Sequence, residues 1–285
     1  MLNVLTVDVE EHFQVNAFES VIDRDDWDTF PSRVVASTRR LLRILAEHNV
    51  RATFFVLGWV AERHPFLIRD ISAAGHEIAT HGYWHKLIYC QTPSDFADDV
   101  QRSIIAIRSA LGGNGPATWD LRLGYRAPAF SITQRSLWAL DILGRYGIRY
   151  DSSIFPLAVH DRYGLGDAYR FAHRVGNGIW EFPLSTVRLC GHNWPVAGGG
   201  YLRLFPFWYT RWCIHHINGE GQPAVIYVHP WELDWEQPRV TNAPLLSRFR
   251  HYVNLRETEQ RLVSLLREFR FGPIREVFAH HLKAT

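Results

Sequence analysis

Short runs of apolar residues alternate with amphipathic segments over the first two thirds of this chain. Residues 3–9 and 52–57 have the length and composition of buried strands, and residues 31–48 between them place apolar side chains on one helical face. Such alternation is typical of βα units, whose strands pair in a parallel sheet that helices cover. The pattern therefore predicts an α/β fold.

Later segments extend the same prediction. Helices are predicted over residues 61–74, 92–111, 133–146 and 246–269, and strands over residues 76–79, 148–151 and 224–228. Thr92 and Pro93 are a strong helix start, and the glycines from Gly112 onward are a strong stop. We expect a single domain, residues 1–285, with a barrel core over about 1–150 and 220–285 and a loop-rich elaboration over about 152–220.

Composition excludes several classes of protein. A chain of 285 residues suits one α/β barrel, and 47% hydrophobic with 21% charged residues is typical of a globular protein. A net charge of +2, without a dense basic block, argues against a nucleic-acid partner. No apolar run approaches the roughly 20 residues of a membrane-spanning helix.

The cysteines and the N-terminus bear on location. Cys90, Cys190 and Cys213 are odd in number, widely spaced and outside any Cys-x-x-Cys pattern, which predicts neither a disulfide framework nor a thiolate zinc site. The first residues contain no basic stretch of the kind that begins a secretory signal. We therefore expect a cytoplasmic protein.

Acidic and histidine side chains follow the predicted strands. Asp8 and Glu10 close the first strand, and His81 and His85 come about seventy residues later. In a parallel barrel the carboxyl ends of the strands converge on one face, so these groups are expected to lie together. One carboxylate with two imidazoles is a set of ligands for a divalent metal ion, and a spare carboxylate beside it is the equipment of a metal-assisted hydrolase. A His-x3-His spacing alone is weak evidence, because it also occurs by chance on helices.

Four motifs, in order, make the chain resemble the polysaccharide deacetylases of the NodB-homology type, carbohydrate esterase family 4. They are Asp8 with Glu10, His81 with His85, Arg126-Ala127-Pro128, and a late strand that ends in His229. The resemblance is closest to the branch linked to exopolysaccharide and exosortase gene clusters. It implies a distorted (β/α)7 barrel and metal-dependent removal of N-acetyl, sometimes O-acetyl, groups from sugars.

The resemblance also assigns roles. Asp8 would be the general base, Arg126 its ion-pair partner, and His229 the general acid. Most relatives have two adjacent Asp in the first motif, whereas Val9 intervenes here. The metal is therefore assigned to Glu10, His81 and His85, with Glu11 as the reserve acid; zinc is preferred, and cobalt, nickel or manganese are alternatives.

Three further side chains are expected to contact the substrate, an acetylated glycan. Tyr125 would help hold the oxyanion, Trp180 would wall the acetyl pocket, and Trp231 would stack on sugar. Two alternatives stay open, a metal-independent amidohydrolase of the allantoinase type and a non-catalytic sugar-binding barrel. Arg126 could also be only a structural partner of Asp8, and His229 only a capped strand end. The oligomeric state is open.

Overall fold

The computed structural model of the protein describes residues 1–112, 123–158, 164–176, 178–196 and 198–283. Its strands are β1 (Leu2–Val9), β2 (Thr53–Val56), β3 (Glu77–Thr80), β4 (Gly124–Tyr125), β5 (Tyr150–Asp151), β6 (His173–Val175), β7 (Ile179–Glu181), β8 (Thr186–Leu189), β9 (His192–Pro195), β10 (Val225–Val228) and β11 (Arg270–Gly272). Its α-helices are α1 (Val34–Glu47), α2 (Gly58–Arg63), α3 (Pro65–Ala73), α4 (Pro93–Ala110), α5 (Trp138–Arg145), α6 (Gly199–Leu204), α7 (Phe207–Gly219), α8 (Leu245–Tyr252), α9 (Leu255–Glu268), α10 (Ile274–Val277) and α11 (Ala279–Lys283).

The main sheet is a curled row of parallel strands. Seven of them follow the order β10-β1-β2-β3-β4-β5-β7, with β6 antiparallel beside β7 and β11 parallel beside β1. The segment after β7 reaches the other end of the row, where the Val225 N–H donates to Ser185 Oγ at 2.7 Å. This architecture agrees with the expected α/β class and the distorted seven-stranded barrel. β8 and β9 form a separate antiparallel pair.

Strand β1 shows how the sequence aims the functional side chains. Leu5, Val7 and Val9 pack in the apolar layer between the sheet and its helices, whereas Val4 belongs to the cluster inside the curled sheet. Successive side chains of a strand point to opposite faces, so Asp8 lies on the same face as Val4. The acid is therefore directed into the barrel.

Two predicted helices are each divided. The 61–74 segment is broken at His64, because Pro65 lacks an amide N–H and starts the new helix α3. The 246–269 segment is broken at Asn254, whose left-handed conformation (φ 51°) turns the chain between α8 and α9.

The other predicted helices and strands differ less from the elements in the structure. Thr92 caps α4 through a reciprocal pair of bonds with Asp95, as the sequence predicts. The segment expected to be loop-rich contains β6 to β9, α6 and α7. Residues 113–116, part of the predicted stop after α4, lie outside the described residues. In the described part of the chain no helix has both the length and the apolar character required to cross a bilayer.

Candidate active site

A cavity of about 210 Å³ opens where the carboxyl ends of β1, β3 and β10 meet. Its lining residues are Asp8, Glu10, Val15, Asn16, Ala17, His81, His85, Ala129, Phe130, Gly200, Arg203, Tyr227, His229, Trp231, Arg250 and His251. Six side chains singled out from the sequence thus share one cavity: Asp8, Glu10, His81, His85, His229 and Trp231. This is the convergence expected of a parallel barrel.

Glu10, His81 and His85 form one side of the cavity. One ligand atom from each lies within 4.8 Å of the others, and all three side chains are buried. Nε2 of His85 is 2.8 Å from Oε2 of Glu10, without the geometry of a hydrogen bond, and that oxygen has no hydrogen-bond partner among the described residues. A buried carboxylate oxygen left without a donor fits a position that faces a cation.

The two histidines lie on a loop and not on a helix. Gly82 and His85 take positive φ values of 74° and 51°. The loop is held from α4 by Asp99, whose carboxylate accepts the backbone N–H groups of Tyr83 (2.8 Å) and Trp84 (3.0 Å). A Cβ atom at residue 82 would come within 2.7 Å of Asp99 Oδ2, so glycine is required there both for its backbone and for its size.

The charge states suit metal binding. Nδ1 of His81 lies 2.8 Å from the carbonyl oxygen of Arg126, so it donates there and leaves Nε2 as a lone-pair donor. Burial lowers the pKa of His81 to about 4, which keeps the ring neutral. Burial alone would raise the pKa of Glu10, but the neighbouring His85, His229 and His81 outweigh it and lower that pKa to about 2. Glu10 is thus ionised and His81 neutral, the forms in which each side chain can coordinate a metal ion.

Glu11, the reserve acid, has a different place. Its carboxylate accepts the backbone N–H groups of Arg33 (2.9 Å) and Val34 (3.1 Å) and the hydroxyl of Ser32. These groups form the N-terminus of α1, where a negative charge is favourable. Glu10 and not Glu11 therefore faces the histidines.

Asp8 is paired with a buried arginine. Nη1 of Arg126 donates to Asp8 Oδ1 at 2.8 Å and to Thr6 Oγ1 at 2.6 Å, and the other edge of the guanidinium bonds the carbonyl and hydroxyl of Ser152. The guanidinium also lies 4.2 Å from the Phe55 ring centroid. The contact expected from the sequence is present, and it fixes both the position and the orientation of the Asp8 carboxylate.

His229 directly follows β10 and also lines the cavity. Its Nε2 is 3.6 Å from Oε1 of Glu10, and its Nδ1 is 3.1 Å from Oε2 of Glu232. Burial favours the neutral ring, but the charge and hydrogen bond of Glu232 outweigh it, with help from Glu10 and Asp8, and raise the pKa of His229 to about 9. Glu232 in turn accepts from Arg203 Nε at 2.8 Å.

Arg203 anchors this side to the rest of the molecule. It is 2% exposed, and its Nη1 donates to the carbonyl oxygens of Arg250 (3.1 Å), His251 (2.7 Å) and Val253 (3.0 Å). Burial raises the pKa of Glu232, yet the charges of Arg203 and His229 lower it more, so the net shift is downward. Neither Glu232 nor Arg203 was selected from the sequence.

Of the three predicted substrate-contact aromatics, only Trp231 reaches the cavity. Its indole Nε1 donates to Glu10 Oε1 at 3.1 Å, and its ring stacks on His229 and, at 4.2 Å, on His251. Tyr125 is fully buried with its ring against Phe96 in the helix layer.

Trp180 also lies away from the cavity. Its ring packs against Phe182 and, 4.3 Å away, against His281 of α11. The structure does not bring Trp180 or Tyr125 to the lining, because each ring packs against other core residues.

Comparisons with known proteins divide the chain in two. Residues 25–149 match the family model "Polysaccharide deacetylase", and residues 152–279 match a domain of unknown function, DUF3473. The chain contains a polysaccharide deacetylase domain. The deacetylase match includes His81, His85 and Arg126, and the second match includes His229 and Arg203. The candidate site is thus assembled from both matched regions, and from β1, which precedes them.

Curated relatives resemble only part of the chain. A chitooligosaccharide deacetylase of Rhizobium leguminosarum bv. trifolii is 50% identical over 109 residues, 38% of this chain and 44% of the relative. One from Bradyrhizobium sp. (strain ANU 289) is 41% identical over 73 residues, 26% of this chain and 33% of the relative. The matched stretches therefore span less than half of each relative.

A solved structure superposes on almost the whole chain. It is the crystal structure of a Mycobacterium smegmatis protein that is described as a candidate polysaccharide deacetylase. The two structures superpose with a TM-score of 0.63, and the aligned sequences are 21% identical. The alignment covers 99% of this chain and 89% of that one. The likeness supports the fold, including the region beyond residue 150.

Proposed function

We propose that this protein is a metal-dependent deacetylase that hydrolyses N-acetyl groups of a glycan. The observation that carries the proposal is the cluster of Glu10, His81 and His85, flanked in one cavity by Asp8 and by His229. Amide hydrolysis requires an activated water, a polarised carbonyl and a proton for the leaving amine. The cavity offers a group for each requirement.

Glu10, His81 and His85 would hold the ion, with zinc as the preferred metal. When bound, a divalent ion supplies Lewis-acid polarisation of the acetyl carbonyl and lowers the pKa of a water molecule. Three protein ligands are the usual number at a catalytic zinc site, which keeps positions open. Trp231 supports the arrangement by holding Oε1 of Glu10.

Asp8 would accept the proton of the attacking water. The bond from Arg126 occupies Oδ1 and fixes the orientation of the buried carboxylate, so that Oδ2 is the oxygen available to accept a proton. This role needs a fixed carboxylate at the cavity wall, and Asp8 is 2% exposed and lines that cavity.

His229 would donate the proton to the departing sugar nitrogen. The Glu232 carboxylate at Nδ1 fixes the ring and directs Nε2 toward the Glu10 side of the cavity. Arg203 keeps that carboxylate in place through its own buried bond. Base and acid would thus act on one acetamide within the same cavity.

For the substrate we propose oligomers of N-acetylhexosamine that belong to an exopolysaccharide or its lipid-linked precursor. The matched relatives are named chitooligosaccharide deacetylases, which favours this sugar class. A cavity of about 210 Å³ accommodates an acetamido group with part of one ring, so further sugars would lie outside it. The exopolysaccharide role and the cytoplasmic location stay predictions from the sequence.

The test is acetate release from N-acetylchitooligosaccharides of one to four sugars, by chelated protein and by protein reloaded with zinc. We expect activity only after reloading, higher kcat/KM for the longer substrates, and a loss of about a hundredfold in Asp8→Asn, the usual worth of a general base. Asp70→Asn, at a half-exposed surface carboxylate, is the matched control. Full activity of the chelated protein, or activity on allantoin alone, would instead support the metal-independent alternative.

A further inference from the structure

Residues 235–256, which we name the basic rim, carry an unusual exposed apolar surface. Within it α8 buries only His251, while Leu245, Leu246 and Phe249 are 79%, 59% and 58% exposed. Trp235 is exposed as well. Large apolar side chains that are exposed together on one short segment indicate an interaction surface more often than single exposed apolar residues do.

The basic rim is also strongly positive. It contains four arginines and a single acid, Glu236. The Arg256 guanidinium lies 4.4 Å from the Trp235 ring, and Arg239 lies 4.7 Å from the Tyr252 ring. Arginine stems that run beside aromatic rings keep their charges at the surface of an apolar patch.

The rim forms a wall of the candidate active site. Arg250 and His251 line the cavity, and His251 stacks on Trp231 at 4.2 Å. Nε2 of His251 lies 2.8 Å from Gln237 Oε1, which joins the two ends of the rim. Whatever covers the exposed face of α8 therefore lies beside the entrance to the cavity.

We propose that the basic rim docks the protein on the surface of an anionic lipid bilayer. Exposed Leu, Phe and Trp combined with Arg are the composition of helices that lie in the membrane interface. Anionic headgroups complement the four arginines, whereas a second copy of the rim would set like charges against each other. A glycan chain offers no apolar phase for Leu245 and Leu246.

The docking goes beyond the proposed deacetylation and stands without it, because lipid binding is measured on the protein whether or not it is active. Where both hold, the cavity entrance faces the bilayer surface. This orientation suits an acetylated glycan that is carried on a membrane lipid.

The test is co-sedimentation of the full chain with vesicles of phosphatidylcholine alone or mixed equally with phosphatidylglycerol. We expect binding to the mixed vesicles that weakens at high salt. Leu246→Ser with Phe249→Ser should weaken the partition by about tenfold or more, through the loss of buried apolar groups. Arg248→Gln should weaken it by about fivefold, the worth of one cation near such a surface.

Ile105→Ser on α4 is the matched control, since Ile105 is 59% exposed like Leu246. It should bind as the parent does, and circular dichroism checks that each variant is folded. No binding of the parent to the mixed vesicles overturns the proposal, as does equal binding by the Leu246/Phe249 variant. Dimerisation that this variant abolishes, without vesicle binding by the parent, would overturn it in favour of a second copy of the chain.

Discussion

Two regions of the cavity are held in place by different means: the proposed metal side, formed by Glu10, His81 and His85, and the proposed proton-donor side, formed by His229. Glu10 and the two histidines are positioned by strand ends and by backbone groups, above all the bonds from Tyr83 and Trp84 to Asp99. His229 is positioned by a line of charged side chains, Glu232 and then Arg203. The backbone bonds fix the positions of the two histidines. The charged side chains fix the position of the His229 ring and also raise its pKa.

Because of this difference, we expect substitutions on the two sides to have different effects on activity. In the proposed mechanism, the loss of a ligand on the metal side would remove the ion on which both carbonyl polarisation and water activation depend. On the donor side a lost charge leaves the same shape with a weaker acid. The two sides should therefore separate experimentally with a substrate whose leaving group needs no proton, such as an aryl acetate ester.

The largest expected effect is that of His81→Ala. Bound zinc should fall to background, and hydrolysis of both the amide and the aryl acetate should fall by about a thousandfold or more, equivalent to several kcal/mol. Elemental analysis and both assays measure this, with His215→Ala as the control at an exposed histidine. Unchanged metal content in His81→Ala would remove the ligand assignment.

Next in size is Glu232→Gln, which keeps the side chain's shape but removes its charge. Deacetylation kcat should fall by about a hundredfold, the typical contribution of a general acid, with KM and zinc content near those of the parent. Hydrolysis of the aryl acetate should change little, because its leaving group departs unprotonated. The control is Glu236→Gln, at an exposed acid nearby.

Equal losses on both substrates would contradict the donor role of His229. They would show instead that Glu232 supports the cavity as a whole. This pair of assays distinguishes the two sides without a change of pH.

The metal side was predictable from the sequence because its signals are local. Asp8 and Glu10 lie at the end of one apolar strand, and His81 and His85 lie on one loop with the His-x3-His spacing. The donor side was only half predictable. His229 ends a recognisable strand, but Arg203 reaches Glu232 from α6 in the segment expected to be loop-rich, and no sequence spacing reveals that pairing.

In the fold as well, features that depend on contacts distant in sequence could not be predicted. Regular βα units and the capped start of α4 followed from periodicity and from Thr92-Pro93. The break at Asn254 did not, since the residues on both sides of it continue a helical pattern. The left-handed turn is stabilised by a tertiary contact, in which Asn254 Nδ2 donates to the Arg203 carbonyl oxygen at 2.8 Å.

A smaller effect, on stability, is expected for Glu11→Gln on the metal side. Its carboxylate binds the N-terminus of α1, so the change should lower the free energy of unfolding by about 1 to 2 kcal/mol. Zinc content should be retained, because Glu10 faces the histidines. Glu47→Gln, at the opposite end of the same helix, should leave stability equal or slightly higher, since a negative charge there opposes the helix dipole. Urea denaturation measures both, and loss of zinc in Glu11→Gln would return Glu11 to the ligand set.

The smallest effect concerns how acid weakens the strands beneath the metal side. His76 Nδ1 accepts the Ala52 N–H at 3.1 Å, and this bond requires a neutral ring. Burial, with the charges of Arg275 and Arg51, lowers the pKa of His76 from 6.5 to about 4. A folded pKa below the unfolded one means that His76 stabilises the fold fully above pH 6.5, and that this contribution is lost as pH falls from 6.5 through 4. In His76→Asn, whose side-chain oxygen accepts the same N–H without titrating, the unfolding free energy should decline less steeply over that range. Urea denaturation of zinc-free protein at several pH values measures the difference between the two slopes, in which the other titrating histidines cancel; parallel slopes would show that His76 does not contribute to acid sensitivity.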